Sequence, residues 1–240
     1  MANNKSNRLV KSLGAPVIFV GILILIQILS SFLGLQLGVY GIYPRDLMGF
    51  RGVFLAPLLH SGWPHLLSNA PPLFFMSVII LFFYRKVGFQ AITMIYILTG
   101  IAVWLFGRSV FHIGASGVVY GLVAFVAWLG IFRRNIKSIA LSLIVVFYYG
   151  SMFVGILPGQ EGISWESHLF GALVGIFVAY WYKGNVEKDE EKKVYDWEEE
   201  EKKLPPRNFF DQDPFEKTKQ ERKRENHDNR NEPPKWFSNY

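Results

Sequence analysis

The sequence predicts an all-α polytopic membrane protein followed by a charged tail, and three observations carry that prediction. Hydrophobic residues make up 51% of the 240, and they gather into runs of about 20 residues, the length a helix needs to cross the hydrocarbon core. Charge is divided along the chain. Met1 to Tyr182 holds 11 Lys/Arg and three acids (Asp46, Glu161 and Glu166), whereas Lys183 to Tyr240 holds 14 Lys/Arg and 16 Asp/Glu. The basic residues of the first part stand in short segments between the apolar runs. A membrane portion with a water-soluble tail accounts for all three observations, and a single globular domain does not.

The first apolar run, Ala15–Leu37, follows Lys5, Arg8 and Lys11. It exceeds the core of a signal peptide and lacks a small-residue cleavage site. It is therefore expected to remain as a span, with residues 1–14 as a cytoplasmic N-terminus. Further runs follow at Leu66–Tyr84, Val87–Phe106, Gly114–Phe132, Ser138–Leu157 and Trp165–Tyr182, which makes six. None has a charge in its middle, and a backbone in lipid must satisfy its own hydrogen bonds, so these are expected to be helices. They do not alternate as the strands of a membrane barrel would. The stretch 38–64 is too long for a turn and too apolar for a solvated loop. Leu47, Phe50, Val53, Phe54 and Leu58 recur there at near-helical spacing. This segment is expected to lie in the outer interface, with Arg45 and Arg51 reaching headgroups.

Basic residues set the direction of the spans. Lys5, Arg8 and Lys11 precede the first; Arg85 and Lys86 separate the second and third; Arg133, Arg134 and Lys137 separate the fourth and fifth; Lys183 follows the sixth. The opposite loops hold Arg45, Arg51, Arg108 and the three acids. Both termini are thus expected in the cytoplasm, and spans two, four and six run inward from the outer face. The same topology explains the net charge of +6 without invoking nucleic acid. There is no cysteine, which excludes disulfides, thiol nucleophiles and cysteine metal sites. In the tail, 183–240, Glu187–Lys203 is expected to extend the last span as a charged helix, which Pro205-Pro206 would stop. The remainder reads as largely disordered, with Trp197, Phe209, Phe210, Phe215 and Trp236 scattered along it.

The predicted topology brings reactive side chains to one depth. Ser116 opens span four and His168 opens span six, while His60 and His65 precede span two and Asn69 sits in its first turn. Each has a plain reading alone, the serine as a packing residue and the histidines as interfacial groups. Gly117 and Gly121 on span four, and Gly171 and Gly175 on span six, are spaced for close helix contact that would press Ser116 against His168. A serine is a poor nucleophile until a base accepts its proton, so the two roles reinforce each other. Pro71-Pro72 would disturb an established helix, so span two is expected to start around Asn69, with His65 on the approaching loop.

Gly-Ala-Ser-Gly-Val-Val-Tyr-Gly (Gly114–Gly121), His-Ser-Gly-Trp-Pro-His-Leu-Leu-Ser-Asn (His60–Asn69) and Ser-His-Leu-Phe-Gly-Ala-Leu-Val-Gly (Ser167–Gly175) resemble the three signatures of rhomboid intramembrane serine proteases. The resemblance covers 15–182 and implies a six-transmembrane-helix rhomboid-like bundle. It implies Ser116 as nucleophile and His168 as general base, with no required carboxylate, and Tyr120 packed on the imidazole. His65 and Asn69, with the Ser116 amide, would stabilise the oxyanion, and His60, Gly114 and Gly117 would support the site. His112 has no role under the resemblance and reads as a loop residue, and Glu166 is expected to point away from the dyad. Arg51-Gly52 stands where many rhomboids carry a tryptophan-arginine pair, and no role is carried over there.

The implied activity is hydrolysis of peptide bonds in or near the transmembrane segments of membrane-protein substrates, within the lipid bilayer and with no nucleic acid. No metal or organic cofactor is implied. His60, His65 and His168 are ligand types, but an asparagine and histidines beside a serine suit acyl transfer better than zinc chemistry. The six-span core resembles prokaryotic rhomboids, which implies a bacterial plasma membrane. One alternative is a catalytically silent rhomboid-like protein that binds membrane clients, against which stands the presence of both Ser116 and His168. Another is a solute transporter, against which stand the lack of an inverted repeat and of mid-membrane charge.

Overall fold

A computed structural model describes residues 2–159, 164–185 and 218–231. The chain forms two compact units, Met1–Glu187 and Lys188–Tyr240. The first contains α1 (Ala2–Leu33), the single turn α2 (Gly52–Leu55), α3 (Trp63–Phe83), α4 (Gly88–Phe106), α5 (Ser116–Arg133), α6 (Ile136–Tyr149) and α7 (Trp165–Tyr182). Among the described residues there is no strand, only an isolated bridge between Ile42 and His112. Among the described residues, five stretches are long and apolar enough to cross a membrane: Leu9–Leu33 of α1, α3, α4, α5, and α6 with the 3-10 turns that continue it to Ile156. The sixth expected span, α7, is a helix of 18 residues whose start carries Glu166, Ser167 and His168, which makes it less apolar than the other five.

Local chemistry explains where the helices differ from the expected runs. α1 stops at Leu33 rather than Leu37, because Gly34 takes a left-handed φ of 63° and the Leu35 amide turns back to the Ser30 carbonyl at 3.0 Å. α3 begins at Trp63, not near Asn69, with Pro64 rather than Pro71-Pro72 in its first turn. His65 is therefore helical, and Pro71 and Pro72 lie inside the helix, where their missing N–H groups deprive the Leu67 and Ser68 carbonyls of helical donors. Buried Leu66, Ala70, Leu73 and Met76 hold the helix through that interruption by packing on the core. The fifth run is not one regular helix. It changes at Gly150 into 3-10 turns that run to Ile156, and this change matters for the site below.

α5 is the axis of the bundle. Of its span 61% is buried, against 17% for α1 and 11% for α6, which turn Ile18, Leu25, Leu143 and Phe147 outward. Lipid is as apolar as these side chains, so helix association inside a membrane depends on close packing rather than on water exclusion. The glycines supply it. A Cβ on Gly171 would overlap the Gly117 carbonyl oxygen, and one on Gly175 would overlap that of Gly121. α5 and α7 therefore meet backbone to backbone, as the glycine spacing predicts.

The segment between α1 and α3 is folded into short turns. It forms 3-10 turns at Leu37–Tyr40, Gly49–Arg51 and Ala56–Leu58 around α2. Arg45, expected at headgroups, instead donates to the Gly107 carbonyl at 2.8 Å and to Ser109 Oγ at 2.9 Å, capping the end of α4 where helix carbonyls lack partners. Arg51 is also drawn inward, donating to the Val39 carbonyl at 3.2 Å with its guanidinium 4.7 Å over the Tyr40 ring. Leu47 and Phe54 do project outward, while Val53 is buried. The second unit holds α8 (Lys219–Asn231), within a stretch expected to be disordered. Thr218 and Glu221 cap it reciprocally: the Thr218 amide donates to Glu221 Oε2 at 2.8 Å, and the Glu221 amide returns to Thr218 Oγ1 at 3.4 Å. The expected helix at Glu187–Lys203 and the five tail aromatics lie outside the described residues.

Candidate active site

Ser116 is the first residue of α5, and His168 lies in the first turn of α7. The chain reaches Ser116 through Gly114, whose φ of 106° favours glycine and whose amide donates to the Ala56 carbonyl at 2.8 Å. Because α5 and α7 touch at their glycines, the two side chains meet: Ser116 Oγ lies 2.8 Å from His168 Nε2.

The protons in this pair can be assigned from the partners. His168 Nδ1 lies 2.8 Å from the Gly155 carbonyl, which only accepts, so Nδ1 carries the hydrogen and Nε2 presents its lone pair to the Ser116 hydroxyl. This is the tautomer that a base requires, and it is set by a backbone carbonyl where a Ser-His-Asp triad uses a carboxylate. Gly155 belongs to the 3-10 turns after α6. A Cβ there would overlap Tyr120 Oη and stand 3.2 Å from His168 Nδ1. Tyr120 stacks on the imidazole with ring centroids 4.1 Å apart and planes 7° from parallel, and its hydroxyl donates to the Met152 carbonyl at 2.6 Å. The ring is thus fixed in plane by the tyrosine and in rotation by Gly155. Sequence reasoning found Tyr120 and missed Gly155, whose contribution is a carbonyl that any residue possesses.

α3 contributes the opposite wall. The Ser61 amide donates to His65 Nδ1 at 3.4 Å, which leaves the hydrogen on His65 Nε2. That nitrogen faces Gly114, where a Cβ would stand only 2.6 Å away. Buried Asn69 directs Nδ2 to the His65 carbonyl at 2.7 Å and, in a longer contact, to Ser68 Oγ at 3.4 Å. His60 packs edge-on to His65 with centroids 5.0 Å apart, and its Nε2 accepts the Ala115 amide at 3.4 Å. Burial, and secondarily the neighbouring His65, lower the His60 pKa to about 4, so it stays neutral and keeps that lone pair. His65, Asn69, Ser116, Tyr120 and His168 line one cavity of about 660 Å³. Gly114 stands against His65, and Gly117 follows Ser116, where a Cβ would come 2.9 Å from the Ser167 carbonyl oxygen.

Two sequence readings change here. His112 is not a plain loop residue: it is 2% exposed, bridges to Ile42, and bonds to Ser164 Oγ and the Arg108 carbonyl. Glu166, two before His168, is buried and paired with Arg108 at 2.9 Å. The signal for both lay in an arginine and a histidine shortly before Ser116 and an acid just before His168.

A family model described as the rhomboid domain matches residues 48–184, more than half of the chain. The chain belongs to the rhomboid family. With its several apolar helices, it is a multi-pass membrane protein. An uncharacterized protein of Mycobacterium tuberculosis is 37% identical to this rhomboid over 171 residues, covering 68% of this chain and 71% of that one. An uncharacterized protein of Mycobacterium leprae is 33% identical over 171 residues, covering 68% of each. A RHOMBOID-like protein of Arabidopsis thaliana is 31% identical over 132 residues, covering 51% of this chain and 31% of its own.

Proposed function

We propose that this rhomboid is an intramembrane serine endopeptidase in which Ser116 is the nucleophile and His168 the general base. The 2.8 Å contact between Ser116 Oγ and the unprotonated Nε2 of His168 carries this reading. Ser116 Oγ attacks the scissile carbonyl carbon while its proton passes to Nε2. The imidazolium then returns that proton to the leaving amine, and water repeats the sequence to release the acyl-enzyme. Charge develops on the carbonyl oxygen, and the donors that fit it are His65 Nε2–H, the Ser116 amide and the Asn69 amide hydrogen that exchanges its long 3.4 Å contact with Ser68 Oγ for the oxyanion. Removing such a donor costs on the order of 100-fold or more in rate.

The substrates are transmembrane proteins. A helix in lipid hides its peptide bonds in hydrogen bonding, so a substrate segment must unwind to reach the cavity, and helix-weakening residues favour that. The basic loops support a cell membrane location with both termini in the cytoplasm and the cavity on the outer side, and the mycobacterial relatives fit a bacterial host. The test compares wild type with Ser116→Ala and His168→Ala in liposomes, using a helix-destabilised transmembrane substrate and a fluorophosphonate label. Cleavage and labelling are expected in wild type and absent from Ser116→Ala. A wild type that neither cleaves nor labels sinks the protease reading.

A further inference from the structure

Beside the dyad stands a group of side chains that the mechanism above does not use. Arg108 and His112 lie on the segment that leads from α4 to Ser116, and Ser164 and Glu166 lie where α7 begins. Arg108 Nε donates to Glu166 Oε1 at 2.9 Å, and the Glu166 side chain is 6% exposed. Its second oxygen is buried, with no hydrogen-bond partner among the described residues. A buried carboxylate is costly unless paired, and such a pair is no more stabilising than well-packed apolar groups. Stability alone therefore gives no reason for an acid at this position.

The neighbouring hydrogen bonds have a single direction. His112 Nε2 lies 3.0 Å from the Arg108 carbonyl, which only accepts, so Nε2 carries the hydrogen. Burial keeps this imidazole neutral, so Nδ1 is an acceptor and the Ser164 hydroxyl donates to it at 2.5 Å. The Ser164 oxygen then accepts from the Ser167 hydroxyl at 2.7 Å. The chain of donors runs from Ser167 through Ser164 and His112 to the Arg108 carbonyl. Its Ser167 end reaches neighbours of both members of the dyad: Ser167 precedes His168, and its own carbonyl rests against Gly117, which follows Ser116. Two independent ties thus join the segment that delivers the serine to the turn that delivers the histidine.

We propose that Arg108, His112, Ser164 and Glu166 form a clasp of positioning residues that sets the register of Ser116 against His168. The inference rests on the protease reading and adds to it a means of holding two separate helix starts at reacting distance. None of the four bonds to Ser116 Oγ or His168 Nε2, and although Arg108, His112 and Ser164 line the cavity, Glu166 does not, so losing Glu166 should slow the chemistry and leave binding alone.

The experiment uses the full chain in liposomes with the transmembrane substrate and the fluorophosphonate label, and compares Glu166→Ala, Glu166→Gln and Ser164→Ala. Glu166→Ala is expected to lower kcat and the labelling rate by about 10- to 100-fold, the scale of a sub-ångström to ångström misplacement, with KM within about twofold. Glu166→Gln keeps an acceptor for Arg108 and should recover much of that loss. Ser164→Ala should lower kcat about tenfold by cutting the donor chain. Melting temperatures should stay near that of wild type. Unchanged kcat in Glu166→Ala, a rise in KM instead, or a loss that simply tracks a falling melting temperature overturns the clasp while leaving the protease reading intact. A wild type without cleavage or labelling overturns both.

Discussion

At the scale of single residues, the site depends on which nitrogen of each histidine holds a proton. A neutral imidazole has one donor and one acceptor, and the partner of one nitrogen decides the role of the other. Gly155 makes His168 Nε2 an acceptor toward Ser116, and Ser61 makes His65 Nε2 a donor toward the cavity. His60 must be neutral to accept the Ala115 amide, and this gives a pH dependence. Its pKa falls from 6.5 to about 4 in the folded chain, chiefly through burial. Above pH 6.5 the folded and unfolded chains are both unprotonated there, so the contribution to stability is complete. As pH falls from 6.5 toward 4, the unfolded chain takes up a proton that the folded one refuses, and stability is lost. The melting temperature in detergent should therefore drop between pH 7.5 and 4.5 by more in wild type than in His60→Gln, whose side chain does not titrate. Equal drops would assign the acid sensitivity to other groups, His112 among them, whose pKa burial also lowers.

At the scale of elements, the α5–α7 contact is what turns two remote helix starts into one site. Its glycines leave no space for a side chain, and neither helix can retreat without moving Ser116 or His168. Gly171→Val should therefore cost about 3 kcal/mol or more in stability, at the upper end of overpacking penalties, and abolish cleavage. Gly184, which has open space around it just beyond α7, is the control: Gly184→Val should cleave normally. Cleavage by Gly171→Val at the wild-type rate would show that the contact is looser than the backbone spacing implies. α3 makes a different point. Its prolines mark a helix start by residue type, yet the helix starts at Trp63 because Pro64 already fills the first turn and buried side chains carry the helix past Pro71-Pro72.

At the scale of the whole molecule, the proposed orientation rests on the distribution of basic residues. The native chain has no cysteine, so single cysteines report sidedness without background. Val110→Cys, between α4 and α5, should react with an impermeant maleimide in intact cells, whereas Ile136→Cys, at the start of α6, should react only after lysis. The reverse pattern would place the cavity on the cytoplasmic side and sink the proposed orientation. The family match, residues 48–184, begins after α1 and ends just past α7, so it spans every element that lines the cavity.

The sequence by itself determined the apolar helices, the glycine contact between α5 and α7, and the serine, histidines, asparagine and tyrosine that line one cavity. These were legible because membrane length, charge placement and glycine spacing act through residue type, and the three motifs are made of side chains. What only the tertiary structure decided depends on backbone groups and on partners distant in the chain. The Gly155 carbonyl that sets the His168 tautomer has no residue signature, since every residue carries a carbonyl. The cap that Arg45 makes on the α4 carbonyls is invisible until the end of α4 is seen beside it. Arg108 and His112 stand in the segment before α5, Ser164 and Glu166 at the start of α7, and they become a connected structure because α5 and α7 bring those segments together.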